Sequence, residues 1–69
     1  MDIKSKFGER VKMIRKDKKL SQEALASLSD IERTYMCSIE KGERNVSISI
    51  IEKLAKAFNI SIENLMKGL

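Results

Sequence analysis

Residues 21–41 read S-Q-E-A-L-A-S-L-S-D-I-E-R-T-Y-M-C-S-I-E-K, and no other stretch restricts the fold as much. Divided at Ser29 and Asp30, it forms two short amphipathic helices joined by a tight turn. The first half turns Leu25 and Ala26 inward. The second turns Ile31, Met36 and Ile39 inward, because steps of five and three residues at about 100° each return close to one helical face. Outside the second half remain Glu32, Arg33, Thr34, Cys37 and Ser38, a polar face with no catalytic logic to it.

The rest of the chain must support that unit cheaply. Sixty-nine residues allow one domain, 1–69, and a chain of this length buries only about 60% of its unfolded surface. Small scaffolds usually add a disulfide, a metal or a partner subunit. One cysteine and no histidine exclude an internal disulfide and a zinc site, which leaves self-association. No cofactor, metal or small-molecule ligand is expected. The lone Cys37 and the lack of a secretory leader pattern point to the reducing cytoplasm. No apolar run approaches the ~20 residues that span a bilayer, so no membrane partner is expected.

Charge is unevenly distributed. Net charge is +4, yet residues 1–19 alone carry +5, residues 20–46 carry −2 and residues 47–69 carry +1. A basic helical arm beside a polar motif suits a polyanionic partner.

A first helix is expected over residues 4–17, with Phe7, Val11 and Ile14 as its apolar stripe and its lysines elsewhere. Leu20 follows into the core. Ser21 caps the second helix, 22–28, where Glu23 complements the helix dipole. The third, 32–41, ends at Gly42, which takes the left-handed conformation at low cost. A polar loop leads to Ser47, the cap of a fourth helix lined by Ile48, Ile51, Leu54, Ala55 and Phe58. The alternation in 46–51 also fits a strand, but it has no partner and a stronger helical pattern follows. Asn59 terminates that helix and Ser61 caps a short fifth one. The expected fold is all-α, a compact five-helix bundle containing a helix-turn-helix.

Three runs carry a family resemblance: Gln22-Glu23-Ala24-Leu25-Ala26, Ile31-Glu32-Arg33-Thr34-Tyr35 and Ile39-Glu40-Lys41-Gly42. They closely resemble the phage-repressor-like (Cro/C1, or Xre) helix-turn-helix family, from about Phe7 to Met66. The run from Arg33 to Ile48 looks most like the controller proteins of restriction–modification systems. One departure stands out: Asp30 occupies the turn position where the family usually has Gly, and Asp tolerates positive φ at modest cost. The resemblance implies a dimeric, sequence-specific transcription regulator of double-stranded DNA rather than an enzyme. It also implies an internal ion pair between Arg15 and Glu40.

At the groove, Arg33 is the leading candidate for base readout, since a guanidinium can give two parallel hydrogen bonds to guanine O6 and N7. Thr34 offers its methyl to thymine or its hydroxyl to a base or phosphate, and Ser38 lies one turn further on. Glu32 fits either a cytosine N4 or the helix dipole. Gln22 resembles the family's backbone-anchoring glutamine, and Tyr35, Arg44, Asn45 and Ser47 are candidates for phosphate contacts. Tyr35 has the competing option of packing its ring on the core edge. Cys37 reads as a small neighbour or, less simply, as a redox sensor. For dimerisation, Ile50 and Ala57 flank the core stripe of the fourth helix, and Ile60, Ile62, Leu65 and Met66 offer more apolar surface than a chain end needs. An isologous homodimer through that region is the expectation. A phage-type repressor, an antitoxin, and a protein-interaction adaptor on the same fold are the alternatives.

Overall fold

The computed structural model describes residues 2–69. Five helices follow one another: α1 (Ile3–Asp17), α2 (Gln22–Ser29), α3 (Arg33–Glu40), α4 (Ile48–Phe58) and α5 (Ile62–Leu65). Among the described residues there is no strand; the alternating run at 46–51 becomes the start of α4.

Four helices begin in the same way. Asp2, Ser21, Ser47 and Ser61 each accept a hydrogen bond from the backbone N–H three residues on, at 2.9, 3.0, 3.2 and 3.0 Å. Each bond satisfies an N–H that has no partner inside its helix. The exception is α3, whose cap residue Glu32 is extended and makes no side-chain cap bond.

The four joints between helices also share one closure. Lys19, Asp30, Gly42 and Asn59 are left-handed, with φ of 58°, 55°, 78° and 59°. The N–H of the next residue then returns to the carbonyl five positions back: Leu20 to Arg15 (3.0 Å), Ile31 to Ala26 (2.9 Å), Glu43 to Ser38 (3.0 Å) and Ile60 to Ala55 (3.0 Å). This is the Schellman arrangement, which often carries an apolar contact at the returning residue. Leu20, Ile31 and Ile60 supply that contact by packing on the core. Lys19 holds its conformation against a steric cost of roughly 1–2 kcal/mol, while glycine's extra chain entropy costs about 0.5–1 kcal/mol. Lys19→Gly is therefore expected to stabilise the fold by about 0.5–1 kcal/mol, read as a raised melting temperature. Asp30→Gly should gain less, because Asp tolerates this region better. A lower melting temperature for Lys19→Gly would count against a strained joint.

Helix α1 packs on α3, α2 packs on α3 and α4, and α5 closes against α4. The interior is assembled from the stripe Phe7, Val11 and Ile14, from Leu25 and Ala26, from Ile31, Met36 and Ile39, and from Leu54, Ala55, Phe58 and Leu65. Two residues depart from the sequence reading. Ile48, expected in the apolar stripe of α4, is 81% exposed; as the first residue of that helix it projects beyond the neighbours that cover Leu54 and Phe58. Leu65, expected at a subunit interface, is fully buried. It completes the core of the single chain, because the four-residue α5 has only one side to turn inward.

Two further contacts fix the outer helices. Gly8 faces the end of α3: a Cβ there would lie 2.9 Å from the Glu40 carbonyl oxygen and closer still to that of Ile39. Arg10 donates from Nε to the Leu65 carbonyl (3.2 Å) and from Nη2 to the Asn64 carbonyl (2.7 Å), tying α1 to α5.

Candidate nucleic-acid interface

Helices α2 and α3 pack directly against each other. Ala26 is buried where they meet, and Met36 and Ile39 anchor α3 from beneath. Asp30 supplies the left-handed joint, and Ile31 returns to the core straight after it. The same register leaves Glu32, Arg33 and Thr34 exposed on the outer face, with Tyr35, Cys37 and Ser38 half-buried beside them.

Beneath this face lies a buried polar cluster. Arg15 donates from Nε to Glu40 Oε2 at 2.7 Å and from Nη2 to Glu40 Oε1 at 3.0 Å, while its Nη1 donates to the Leu20 carbonyl at 2.9 Å. Two parallel bonds between planar groups make the strong form of an ion pair. The hydrogen bonds to Glu40 hold the Arg15 pKa above its ordinary value, against the opposing effect of burial. Gln22 joins through Nε2, which donates to Glu40 Oε1 at 3.1 Å. One carboxylate thereby ties together the end of α1, the start of α2 and the end of α3. Among the described residues, no buried side-chain polar atom lacks a partner.

A second cluster joins α3 to the loop that follows it. The Arg44 guanidinium sits over the Tyr35 ring, 4.9 Å from its centroid, within range of a cation–π attraction. Arg44 Nε donates to Ser38 Oγ at 2.9 Å, and Ser38 Oγ donates to the Tyr35 carbonyl at 2.8 Å. Tyr35 takes the packing role, lying on the core edge, and its ring also forms a platform for Arg44. Ser38, expected to face a base, has its hydroxyl engaged within the chain. Ser47 accepts the cap bond of α4, and Asn45 is exposed in the loop before it.

Residues 11–65 match the family described as helix-turn-helix. Over 69 residues the chain is 44% identical to the control protein C.MunI of Mycoplasma sp, spanning 99% of this chain and 93% of that one. The chain belongs to the Xre/Cro–C1-like family of helix-turn-helix DNA-binding transcription regulators. A second relative, the control protein C.SmaI of Serratia marcescens, is 47% identical over 66 residues, covering 96% of this chain and 79% of that one. The crystal structure of the restriction–modification controller protein C.AhdI from Aeromonas hydrophila superposes with a TM-score of 0.86 at 48% identity, covering 88% of this chain and 92% of that one.

Within this helix-turn-helix, the side chains singled out from sequence fall into separate groups. Arg33 and Thr34 stand on the exposed outer face of α3, and Gln22 opens α2. Arg44, Tyr35 and Ser38 gather in the second cluster, while Asn45 and Ser47 continue into the loop. The sequence reading missed Arg10, the bond from Gln22 to Glu40, and the contact between Arg33 and Glu23 across the two helices of the motif. Residue spacing carried no signal for these, since each depends on how two helices cross. Among the described residues, no group of three or more His, Cys, Asp or Glu is placed to hold a metal ion. No helix there is long and apolar enough to cross a membrane.

Proposed function

We propose that this chain is the controller of a restriction–modification system, acting in the cytoplasm as a homodimer on a pseudo-palindromic operator. The observation that carries this reading is the exposed Arg33–Thr34 edge of α3, held on a rigid motif by the Arg15–Glu40 pair. The kinship to control proteins agrees with it. Residues 1–69 would act as one DNA-binding domain. Arg33 and Thr34 read bases from the major groove. Ser38 donates to a base only by giving up its bond to the Tyr35 carbonyl, whereas its oxygen has one acceptor site left for a base donor. Gln22, Tyr35, Arg44, Asn45 and Ser47 position the phosphate backbone on either side.

The motif carries little positive charge of its own, so the grip must come from its surroundings. Residues 1–19 hold +5 against −2 for residues 20–46. If each subunit neutralises about four phosphates, log K should fall against log salt with a slope near −7. Selection of bound sites from random DNA tests the reading directly. It should yield two half-sites about one helical turn apart, roughly 34 Å. Arg33→Ala should then lose about 1–3 kcal/mol of discrimination at one base pair in each half-site. Selection that returns no preferred sequence would refute the proposal.

The second subunit would dock along Ile50, Ala57, Ile60, Ile62 and Met66, with Leu65 supporting them from inside. Ile62 is 44% exposed and the others are half-buried, an apolar row that one chain covers only in part. Ile62→Asp is expected to shift the protein to monomer in sedimentation at micromolar concentration and to weaken operator binding without unfolding the chain. A dimer unchanged by Ile62→Asp would place the interface elsewhere.

A further inference from the structure

Arg33 is not alone on its face. Its Nη1 lies 4.0 Å from Glu23 Oε2, across the α2–α3 crossing, with the two side chains 66% and 78% exposed. Glu23 occupies the first turn of α2, and Glu32 stands immediately before Arg33 at the start of α3. The segment that meets DNA is therefore net acidic, although its target is a polyanion. Helix-dipole complementation accounts for an acid in the first turn of α2. It does not account for that acid reaching the one arginine on the reading edge.

We infer that Glu23 is a specificity-determining residue, which restrains Arg33 for a guanine edge and opposes its capture by phosphate. An exposed arginine at the start of a recognition helix has two kinds of acceptor within reach. Phosphate oxygens occur at every step of any duplex, whereas the O6 and N7 pair of guanine occurs only at the correct base. A carboxylate beside the guanidinium narrows its rotamers and repels the phosphate that would compete for it. The neutral acceptors of guanine carry no such repulsion. Glu23 thus weakens all DNA binding somewhat, and binding to the wrong sequence most; discrimination rises because the competitor is penalised. The basic α1 restores the overall grip from outside the reading face.

The inference rests on the controller reading, and the experiment separates the two. Glu23→Gln is measured against the selected operator, against that operator with the Arg33-read base pair changed, and against random duplex, at several salt concentrations. An exposed ion pair shifts an equilibrium by at most about fivefold, so a loss of discrimination of about three- to fivefold is expected. Affinity for random duplex should rise several-fold at low salt and converge on wild type at high salt. In an Arg33→Ala background, Glu23→Gln should still raise random binding but no longer alter discrimination. Glu52→Gln removes another exposed charge, on α4 next to Lys56, and should leave discrimination untouched. Equal gains for all three duplexes in Glu23→Gln would overturn the inference, reducing Glu23 to a distant charge. So would a lowered melting temperature with discrimination intact, the mark of a helix-dipole role alone. A wild-type chain that prefers no sequence would overturn the controller reading itself.

Discussion

Replacing Glu40 with glutamine is expected to cost about 3 kcal/mol or more of folding stability, because it leaves the Arg15 guanidinium buried without its counter-charge. In a domain of this size each kcal/mol moves the midpoint by roughly 4–8 °C, so the thermal transition should fall by well over 10 °C. The amide can still accept one bond from Arg15, which places the loss near the lower end for a broken buried pair. Removing both charges together, as Arg15→Met with Glu40→Leu, should restore much of the stability, since well-packed apolar replacements of buried pairs are often neutral. The pH dependence has a definite sign. Hydrogen bonding to Glu40 raises the folded pKa of Arg15, so this side of the pair stabilises fully below the ordinary arginine pKa. It is lost only as pH rises through the higher folded value, beyond ordinary working conditions. Operator binding by Glu40→Gln should also fall at temperatures where it is folded, since Gln22 takes its orientation from the same carboxylate. A melting curve that overlays wild type would show that the pair contributes nothing.

Gly8→Ala is the second large effect, and here the sign is the test. In an unconstrained helix, alanine gains about 0.8–1 kcal/mol over glycine. At this position the added methyl would press on the Ile39 and Glu40 carbonyls of α3. Both neighbours are backbone, so neither can swing aside as a side chain could, and overpacking of this kind costs about 1–3 kcal/mol, occasionally more. The expected outcome is a net loss of up to about 2 kcal/mol by urea denaturation, with Gly8→Val losing more. Because α1 would be pushed away from the end of α3, the Arg15–Glu40 bonds should lengthen as well, so Gly8→Ala and Glu40→Gln should combine less than additively. A stabilised Gly8→Ala variant would mean that the two helices sit further apart than described.

Much of this architecture was legible residue by residue. Ser21, Ser47 and Ser61 each announced a helix start through a hydroxyl placed before an apolar-periodic run, and Asp30, Gly42 and Asn59 marked helix ends. Local chemistry decides those features, so local reading finds them. Lys19 escaped because nothing in its side chain favours positive φ; its conformation is imposed by Leu20 entering the core and by the return bond to Arg15. Ile48 was misplaced because periodicity gives direction around a helix but not whether neighbours extend far enough along it. On the candidate interface, Arg33 and Thr34 could be assigned to an exposed edge from register alone. The engagement of Ser38 by Arg44, of Gln22 by Glu40 and of Arg33 by Glu23 could not, since each joins elements whose crossing the sequence does not state.

The four Schellman joints have a consequence for how quickly the chain becomes competent. Each closes within six residues, by a bond from one backbone group to another, so the loops between helices need no distant partner to take shape. Helical proteins dominated by such short-range closures fold in microseconds to milliseconds, far faster than a ribosome adds residues. The Arg15–Glu40 pair, 25 positions apart, then locks a motif whose parts are already bent correctly. For the proposed controller, the interval between synthesis and action would be set by how long two copies take to accumulate and meet, with folding adding almost nothing to the delay.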